Sequence, residues 1–203
     1  LVEKKTRWEI KNTHKFKSGI DETMSIDNCI HSFLGSSKSY ADLIVQEYGK
    51  NNGLKTVCFR AGCITGPNHS GAELHGFLSF LVKKALISKS YNLIGYKGKQ
   101  VRDNIHSHDL VSCFWEFYKK PRSGVIYNIG GGRFSNCSII EALNTVEQIA
   151  KIKIKRKKIK QHRVGDHIWY ISNVKKFKKD YPKWKQRYSS KKIISELIDQ
   201  FSL

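Results

Sequence analysis

Apolar residues recur along the chain at helical spacing in some segments and in short strand-like runs in others. Residues three and four positions apart line one face of each predicted helix, and caps, glycines or prolines mark its ends. The predicted helices are residues 35–50, 77–87, 109–118, 138–150 and 190–201. The predicted strands are residues 55–60, 91–94 and 125–129. Strands that alternate with helices in this way favour an α/β fold built on a parallel sheet.

Serine residues supply two of the predicted helix starts. Ser138 and Glu141 have the spacing of a capping box, in which each side chain accepts a hydrogen bond from the backbone N–H of the other residue. Ser107 is expected to cap the helix at 109–118. Residues 1–33 are charged and show no clear period, so we expect no regular element there.

The segment 151–160 is the most basic part of the chain. Its lysines are interrupted by Ile152, Ile154 and Ile159 in a period-two pattern, which is typical of an edge strand with one face in water. The alternative is a patch that attracts nucleic acid, another acidic partner or a membrane surface. We interpret the segment as a solvated strand, and nucleic acid is not an expected partner.

Composition narrows the class of protein. The 203 residues include 37 Lys and Arg against 17 Asp and Glu, for a formal net charge of +20, and 39% are hydrophobic. That hydrophobic content is too high for a disordered chain. No apolar run approaches the roughly 18 residues of a membrane helix, so a membrane-spanning protein is not expected. The start is charged, lacks a signal sequence and has no Met, so we expect the sequence to begin within a longer protein.

The cysteines and histidines do not form a recognisable site. The cysteines are widely spread and include no C-x-x-C pair, which argues against a disulfide framework or zinc knuckle and favours a reducing, cytosolic compartment. They are Cys29, Cys58, Cys63, Cys113 and Cys137. His106 and His108 form an H-x-H pair without further ligands at metal spacing. No metal site is therefore predicted.

Three consecutive glycines, Gly130–Gly132, follow the predicted strand at 125–129. A dinucleotide-binding turn requires G-x-G-x-x-G before a helix and an acidic residue about 20 positions later, because backbone N–H groups must reach the pyrophosphate. Neither condition holds here. We interpret these glycines as a flexible turn that can lie near a ligand.

Several strings considered together resemble the extended short-chain dehydrogenase/reductase family. The stretch 31–38, His-Ser-Phe-Leu-Gly-Ser-Ser-Lys, is similar to the start of the active-site helix of this family, where the pattern is Tyr-x-x-x-Lys. The stretch 98–109 is similar to its R-D-x-x-H-x-x-D segment. Shorter matches lie at 59–67, 127–130, 163–166 and 181–184. The longer strings, at 45–49, 66–77, 95–103 and 130–137, resemble the nucleotide-sugar epimerases of the family, and among them the group that interconverts CDP-paratose and CDP-tyvelose.

This resemblance covers nearly the whole sequence but only the C-terminal portion of such enzymes. It implies the C-terminal part of a Rossmann-type, NAD-binding parallel-sheet domain at residues 1–130, with substrate-lobe insertions around 68–95. It also implies that residues 131–203 are mainly a small α/β substrate-binding lobe. The glycine fingerprint, the ribose-binding acid and the catalytic Ser or Thr would belong to a preceding half that this sequence does not contain.

The resemblance implies an isomerase, namely an NAD-dependent nucleotide-sugar epimerase that oxidises a sugar carbon transiently and reduces it from the other face. The expected activity is CDP-paratose/CDP-tyvelose 2-epimerisation, with a nucleotide-diphosphate sugar as substrate. The enzyme is expected in the cytoplasm, as a homodimer that forms through the helix at 35–50. A nucleotide-sugar 4,6-dehydratase, a 4-epimerase and an inactive binding remnant are the alternatives.

In this family the tyrosine transfers the proton of the sugar hydroxyl, and the lysine one turn later lowers the pKa of the tyrosine. Here Lys38 is present, with an implied role at the cofactor ribose, but Leu34 occupies the tyrosine position. Tyr40 lies about 200° around the helix from Lys38 and cannot substitute. Either another group transfers the proton or the chain is inactive. The candidate groups are the imidazoles of His31, His69 and His75 and the thiol of Cys63.

By the same resemblance, two arginines far apart in the sequence bind the diphosphate of the substrate. They are Arg102 and Arg163, and a planar guanidinium suits phosphate oxygens. The alternative for Arg102 is an ion pair with Asp103 or Asp109. Asp103 itself is expected to hold a loop in place rather than to react.

Four further residues complete the site that the resemblance implies. His75 and Lys99 are expected to line the substrate cleft, and the alternative for both is a solvent-facing loop position. Arg60 and Ala61 are expected beside the nicotinamide, and the alternative for both is ordinary sheet core.

Overall fold

The structure, a computed structural model, describes residues 1–26, 31–69, 71–72, 76–159 and 166–202. The helices in this part of the chain are α1 (Phe33–Asn52), α2 (Phe77–Ser88), α3 (Ser107–Lys119), α4 (Ile139–Ala150), α5 (Lys175–Asp180) and α6 (Ser190–Phe201). The strands are β1 (Val2–Glu3), β2 (Trp8–Glu9), β3 (Val57–Ala61), β4 (Cys63–Thr65), β5 (Ser90–Ile94), β6 (Val101–His106), β7 (Val125–Ile129), β8 (Asn136–Ser138), β9 (Lys155–Ile159) and β10 (Trp169–Tyr170).

The strands pair mainly in parallel. All of β3 pairs with β7, and all of β5 pairs with β9. Strand β6 has β4 and β10 as parallel neighbours and β8 as an antiparallel neighbour. The described residues thus form a mixed α/β structure with parallel sheets, which confirms the predicted fold class.

Helix α1 lies on one face of β3, and aromatic residues of α3 and α5 lie on the other. On the α1 face, Cys58 Sγ donates to the Asp42 carbonyl at 3.5 Å. On the opposite face, the Phe59 ring packs against Phe114 and Phe177, with centroids 5.1 and 5.8 Å away. Because successive side chains alternate between the faces of a strand, β3 is covered on both sides and joins the two layers.

Three clusters of buried apolar side chains form the core. The first joins α2, α4 and α6 with β5, and includes Leu78, Leu143 and Leu197. The second surrounds β7 and brings Phe177 and Trp184 from the C-terminal part of the chain onto the sheet. The third joins the N-terminal segment to β6 and β10. The N- and C-terminal segments are therefore packed into the same structure as the strands between them.

The predicted helices are confirmed with small changes at their ends. The capping box is present, with Glu141 N donating to Ser138 Oγ at 3.1 Å. The prediction that Ser107 caps α3 is wrong. His106 takes that position, and its Nδ1 accepts the His108 N–H at 3.1 Å, so an imidazole satisfies the amide that a serine hydroxyl usually satisfies.

The N-terminal segment contains a hairpin that the sequence did not reveal. Strands β1 and β2 pair in antiparallel fashion, with Val2 opposite Glu9 and Glu3 opposite Trp8. Each strand is two residues long, so no alternation of apolar and polar residues is visible. The hairpin is held by distant side chains, among them Arg133, whose NH1 lies 3.0 Å from Glu9 Oε2.

Two strands differ in how far they are covered. The prediction of a solvated edge strand is confirmed, since β9 has β5 as its neighbour within the described sheet and three of its five residues are exposed. Strand β3 was expected to be buried, but most of it is only half-buried. The outer faces of the flanking helices also carry exposed apolar side chains, including Tyr40 and Ile44 on α1 and Trp115 on α3.

Three further findings concern the described part of the chain alone. None of its helices is long and apolar enough to cross a bilayer. It contains no group of three or more His, Cys, Asp or Glu side chains placed to hold a metal ion. Its cysteines, Cys58, Cys63, Cys113 and Cys137, are free thiols.

Candidate active site

A cleft opens at the carboxyl end of β3, where the chain passes into β4. Its volume is about 380 Å³. It is lined by Ala61, Gly62, Cys63, Arg102, Asp103, His167 and Tyr170. Ligands of open parallel sheets bind beyond the carboxyl ends of the strands, so a substrate is expected here. The fold thus brings together Ala61 and Arg102, two of the residues that the sequence predicted for the site.

Arg102 is held at the cleft by two hydrogen bonds. Its NH2 donates to Asp166 Oδ1 at 2.6 Å, and its NH1 donates to the Val101 carbonyl at 2.9 Å. The two charged side chains are only 12% and 13% exposed, so water screens their attraction weakly. The partner is neither Asp103 nor Asp109, the two that the sequence suggested. A phosphate that reaches Arg102 therefore competes with the carboxylate of Asp166.

Asp103 is buried and ties together three segments around the cleft. Its Oδ2 accepts the Gly132 N–H at 3.1 Å and the Ser172 N–H at 2.9 Å. Gly62 and Gly130 leave the space that its carboxylate occupies, because a Cβ at either position would overlap it. Burial raises the pKa of Asp103 above its usual range, while the N–H donors act in the opposite direction. The expected loop-holding role is confirmed.

A second ion pair fixes the carboxyl end of β3 against α1. Arg60 Nε and NH2 donate to the two carboxylate oxygens of Asp42, both at 2.8 Å. This bidentate contact lowers the pKa of Asp42. Arg60 immediately precedes Ala61, so the pair sets the position of the strand end that borders the cleft. The guanidinium of Arg60 is bound to Asp42 on α1, and Arg60 does not line the cleft.

Lys38 lies on the face of α1 that carries Asp42, because residues four positions apart share a helix face. The Val45 carbonyl accepts a hydrogen bond from Thr56, whereas Asp42 contacts Arg60, so α1 runs antiparallel to β3. Lys38 therefore lies beyond the carboxyl end of β3. Its side chain is exposed and is not part of the cleft lining.

The tyrosine position has no acid–base group. Leu34 lies one turn before Lys38 on the same face and is 65% exposed. Tyr40 is exposed on the outer face of the helix, away from β3. Neither residue lines the cleft.

Of the candidate replacement groups that the structure describes, Cys63 lines the cleft. Burial raises the pKa of Cys63 to about 11. Sequence reasoning did not single out Tyr170, which reaches the cleft because β10 pairs it with Arg102. Burial also raises the pKa of Tyr170 to about 12. At neutral pH both groups are protonated, so they act as hydrogen-bond donors rather than as bases.

The other candidate groups that the structure describes, His31 and His69, lie outside the cleft lining. His31 stands at the start of α1, with Nε2 2.5 Å from the Ile26 carbonyl. His69 lies beside α2, where its carbonyl accepts a hydrogen bond from Ser79 Oγ at 2.6 Å. His75 belongs to the residues that the structure does not describe.

One residue that the sequence assigned to the substrate, Lys99, lies outside the cleft lining. Lys99 turns toward the N-terminal hairpin, where its Nζ donates to Glu3 Oε1 at 2.6 Å and to the Lys4 carbonyl at 2.9 Å. Arg163 lies outside the described residues. The description resumes at Asp166, which contacts Arg102.

The expected cofactor, NAD, fits these residues at one end. The Gly130–Gly132 turn leads into β8 rather than into a helix, and a Cβ at Gly131 would overlap the Ser135 carbonyl. This closely packed turn has no room to cradle a pyrophosphate. The ammonium group of Lys38 and the cleft edge at Ala61 suit the ribose and the nicotinamide. The Gly130–Gly132 turn is therefore not a place for the pyrophosphate of a dinucleotide.

The chain is similar in sequence to a known family and to a characterised enzyme. The sequence pattern of the NAD dependent epimerase/dehydratase family matches residues 21–130, more than half of the chain. The CDP-paratose 2-epimerase of Salmonella typhi is 27% identical over 189 residues. That match takes in 90% of this chain but 54% of the relative, so the chain spans about half the length of that enzyme.

Solved structures share the fold. The dTDP-glucose 4,6-dehydratase of Bacillus anthracis, solved with NAD, superposes with a TM-score of 0.76 at 26% identity, over 96% of this chain and 58% of that one. The UDP-glucose 4-epimerase of Thermus thermophilus, also solved with NAD, gives a TM-score of 0.75 at 19% identity, over 92% and 60%. These likenesses confirm the Rossmann-type α/β fold.

The Arg60–Asp42 pair makes the stability of the protein depend on pH. The folded-state pKa of Asp42 is lowered, so the pair stabilises the fold above the unfolded-state pKa of about 3.9 and loses that effect as pH falls through the folded value. We expect Asp42→Asn to lower the free energy of unfolding by about 1 kcal/mol at pH 7, and by much less near pH 2. Urea denaturation at the two pH values measures this difference.

The control is Asp199→Asn, at an exposed position of α6, which should change stability by less than about 0.5 kcal/mol. A difference between the wild-type protein and Asp42→Asn that stays constant on acidification would show that the pair is not ionic.

Proposed function

The chain belongs to the NAD dependent epimerase/dehydratase family, and from this premise we propose that the protein is a nucleotide-sugar epimerase that uses NAD. The reaction we propose is 2-epimerisation of a CDP-linked sugar, the activity named for its Salmonella typhi relative. The observation that carries the proposal is Arg102 in the lining of a cleft at the carboxyl end of β3. We propose a cytoplasmic enzyme, because free thiols such as Cys63 stay reduced there.

Each part of the cleft has a proposed task. Arg102 binds the diphosphate, since a guanidinium offers paired N–H donors to phosphate oxygens. Tyr170 and Cys63, both protonated at neutral pH, donate hydrogen bonds to sugar oxygens. The backbone at Ala61 lies beside the nicotinamide, and Lys38 holds the adjoining ribose. When bound, NAD supplies the oxidation and re-reduction of the sugar carbon.

We propose that the cofactor side and the substrate side of the site come from successive parts of the chain. Residues 1–130 carry the cofactor side, with insertions around 68–95 that belong to the substrate side. Residues 131–203 mainly complete the substrate side, where Arg163 and Asp166 flank the diphosphate.

The proposed function is tested in the protein of full natural length. The wild-type enzyme should copurify with NAD and invert carbon 2 of a CDP-sugar without net redox change, as followed by NMR of the product. Arg102→Ala should raise KM about tenfold or more, because a hydrogen bond to a charged group contributes about 1.5–3 kcal/mol. Asp166→Asn should not raise KM, since it releases the guanidinium from its present partner.

The matched control is Arg122→Ala, because Arg122 pairs with Asp180 at 3.3 Å and does not line the cleft. Its KM should equal that of the wild-type enzyme. A 4-keto product would identify a dehydratase instead. Absence of both turnover and CDP-sugar binding would identify a binding remnant without this function.

The proposal also predicts how much Leu34, in place of a tyrosine, lowers the rate of epimerisation. A phenol at this position lies one turn from Lys38, whose charge favours the phenolate that removes the hydroxyl proton. Positioned acid–base groups contribute about 10²–10⁴-fold in rate. We therefore expect Leu34→Tyr to raise the rate of epimerisation by at least about 100-fold, measured as kcat with the same CDP-sugar.

Leu34→Phe supplies the control, because it adds the ring without the hydroxyl and should leave kcat near the wild-type value. Equal rates for the two variants would mean that proton transfer does not run through this helix position. In that case Lys38 would have no role in proton transfer, and its proposed role at the ribose would be unaffected.

We propose further that the protein forms a homodimer through α1. Phe33, Tyr40, Ile44 and Tyr48 share the face of this helix that points away from β3, and all four side chains are exposed. An apolar stripe on the outer face of a helix is typical of a helix that is covered in an assembly. A second copy offers the same stripe, so the two helices can pack against each other about a two-fold axis.

Ile44→Glu places a charge in the middle of this stripe and should shift the protein from dimer to monomer at micromolar concentration. Sedimentation velocity measures the change. Ile87→Glu is the control, since Ile87 is 72% exposed on α2 and lies outside the stripe, and it should leave the dimer intact. A wild-type protein that sediments as a monomer, or a dimer unaffected by Ile44→Glu, would refute the interface.

A further inference from the structure

A second cavity, of about 340 Å³, lies next to the cleft. Gly132 and Ser172 line it, and their N–H groups donate to Asp103, which lines the cleft. The described lining residues of the second cavity all lie outside residues 21–130, the part of the chain matched to the family. They include no carboxylate and four cationic side chains, namely Lys17, Arg133, Lys175 and Lys178.

Backbone pairing brings Lys17 to this cavity. The segment that carries it packs against the chain after β10, where Asn173 N donates to the Ile20 carbonyl at 2.8 Å. Gly19 permits this close approach, since its φ is 116° and a Cβ there would lie 2.7 Å from the Ser172 carbonyl oxygen. The place of Lys17 in the lining is therefore set by the backbone of two distant segments.

Arg133 is fixed in the wall, and its charge is already paired. Its NH1 lies 3.0 Å from Glu9 Oε2, and its Nε donates to the Lys17 carbonyl at 3.1 Å. The guanidinium also lies 5.2 Å from the centre of the Trp169 ring. Because Glu9 compensates its charge, Arg133 shapes the cavity and adds little to its net charge.

Helix α5 supplies the other two cations. Lys175 and Lys178 are three positions apart, so they are neighbours on the helix surface. Lys178 Nζ donates to Gln186 Oε1 at 2.9 Å, and Gln186 Nε2 donates in turn to the Gly130 and Gly131 carbonyls at 2.9 and 2.8 Å. This chain of hydrogen bonds positions Lys178 through a neutral partner, so the positive charge of the lysine stays uncompensated.

Three lysines of the lining thus keep their charge without a counter-ion. Lys17, Lys175 and Lys178 form no ion pair with any described residue. Ser18 and Asn173 also line the cavity, and within the described chain neither the hydroxyl nor the Nδ2 group donates a hydrogen bond to a side chain or carbonyl. Like charges gathered at one place repel one another, and a bound anion removes this repulsion.

A phosphate group suits this lining. A phosphate monoester carries between one and two negative charges at neutral pH and has three acceptor oxygens, which can meet several donors at once. Ammonium groups on flexible stems adapt to such a target as point charges. Phe134 also lines the cavity and is 52% exposed, so its ring is available to an organic group attached to the phosphate. The volume is that of a small-molecule site.

We propose that this cavity is a second ligand site, which binds a small phosphate monoester. Lys17, Lys175 and Lys178 bind the phosphate, and Phe134 contacts the organic group of the ester. The site is independent of the proposed function, in which the diphosphate of the substrate binds Arg102 in the neighbouring cleft.

Isothermal titration with phenyl phosphate and with inorganic phosphate tests the site. The Arg102→Ala protein is used beside the wild-type protein, because it removes the arginine of the cleft. Both ligands should bind to both proteins, and phenyl phosphate should bind more tightly. Lys175→Gln, introduced into each, should weaken both ligands about tenfold or more through the loss of a charged hydrogen bond. Lys175→Arg keeps the charge and should retain most of the affinity.

Two further variants define what is bound. Phe134→Ala should remove the advantage of phenyl phosphate and leave the affinity for inorganic phosphate unchanged. Lys191→Gln is the matched control, because Lys191 is exposed on α6 and lines neither cavity. It removes the same charge as Lys175→Gln and should leave both affinities at the wild-type value. Melting curves followed by circular dichroism show whether each variant is folded.

A folded Arg102→Ala protein that binds neither ligand would refute the second site and leave the proposed function untouched. If Arg102→Ala does not fold, the comparison of Lys175→Gln with Lys191→Gln in the wild-type protein decides. Equal effects of these two variants would mean a diffuse attraction to the whole basic surface, and the site would be refuted. The same holds if a short DNA duplex binds in preference to phenyl phosphate. Equal affinities for phenyl phosphate and inorganic phosphate would refute the ester as ligand.

Discussion

The buried carboxylate of Asp103 is the interaction on which the cleft depends. It lies on β6 and accepts N–H groups from Gly132, after β7, and from Ser172, after β10. The three segments meet there because Gly62 and Gly130 have no side chain to occupy the same space. Burial disfavours the charged form of Asp103 and the N–H donors favour it, so the loops and this carboxyl group depend on each other. The cleft lining of β6 and β10 is fixed as a consequence.

Around this centre, charged side chains are paired before any ligand arrives. Arg102 is bound to Asp166 and Arg60 to Asp42, at distances of 2.6 and 2.8 Å. Such pairs hold the two guanidinium groups in defined positions, and of the two only Arg102 lines the cleft. The same arrangement makes binding an exchange of one anion for another. Under the proposed function, the affinity of the cleft depends on the competition between phosphate and the Asp166 carboxylate.

The proposed chemistry has one weak point. Leu34 stands where the resembling family has the tyrosine that transfers the proton, and the described cleft lining holds instead Cys63 and Tyr170, whose pKa values are raised by burial. Asp166 accepts a hydrogen bond from Arg102 through its carboxylate and from Tyr96 through its backbone carbonyl. The residue proposed to bind the diphosphate is therefore present, whereas the phenol is not.

The sequence alone predicted five of the described helices, strands β3, β5, β7 and β9, and the family, but neither the short helix α5 nor the strand β6. Helical periodicity and the capping box at Ser138 are local properties, since residues three and four apart interact within one element. The strings around Lys38 and Arg102 identified the family because they are long. The capping role of His106 was missed, because an imidazole acceptor at that position depends on how its ring is held in the fold.

Only the tertiary structure decided which side chains meet. Tyr170 and Asp166 reach Arg102 through strand β10, whose two residues carry no periodic signal. Trp8 is held by a backbone hydrogen bond to Lys99, about ninety positions away. Contacts of this kind depend on loop closure and on backbone hydrogen bonding between distant segments. Neither can be predicted from the pattern of residues within one segment. The sequence determines the elements by local interactions, whereas their long-range pairing determines the site.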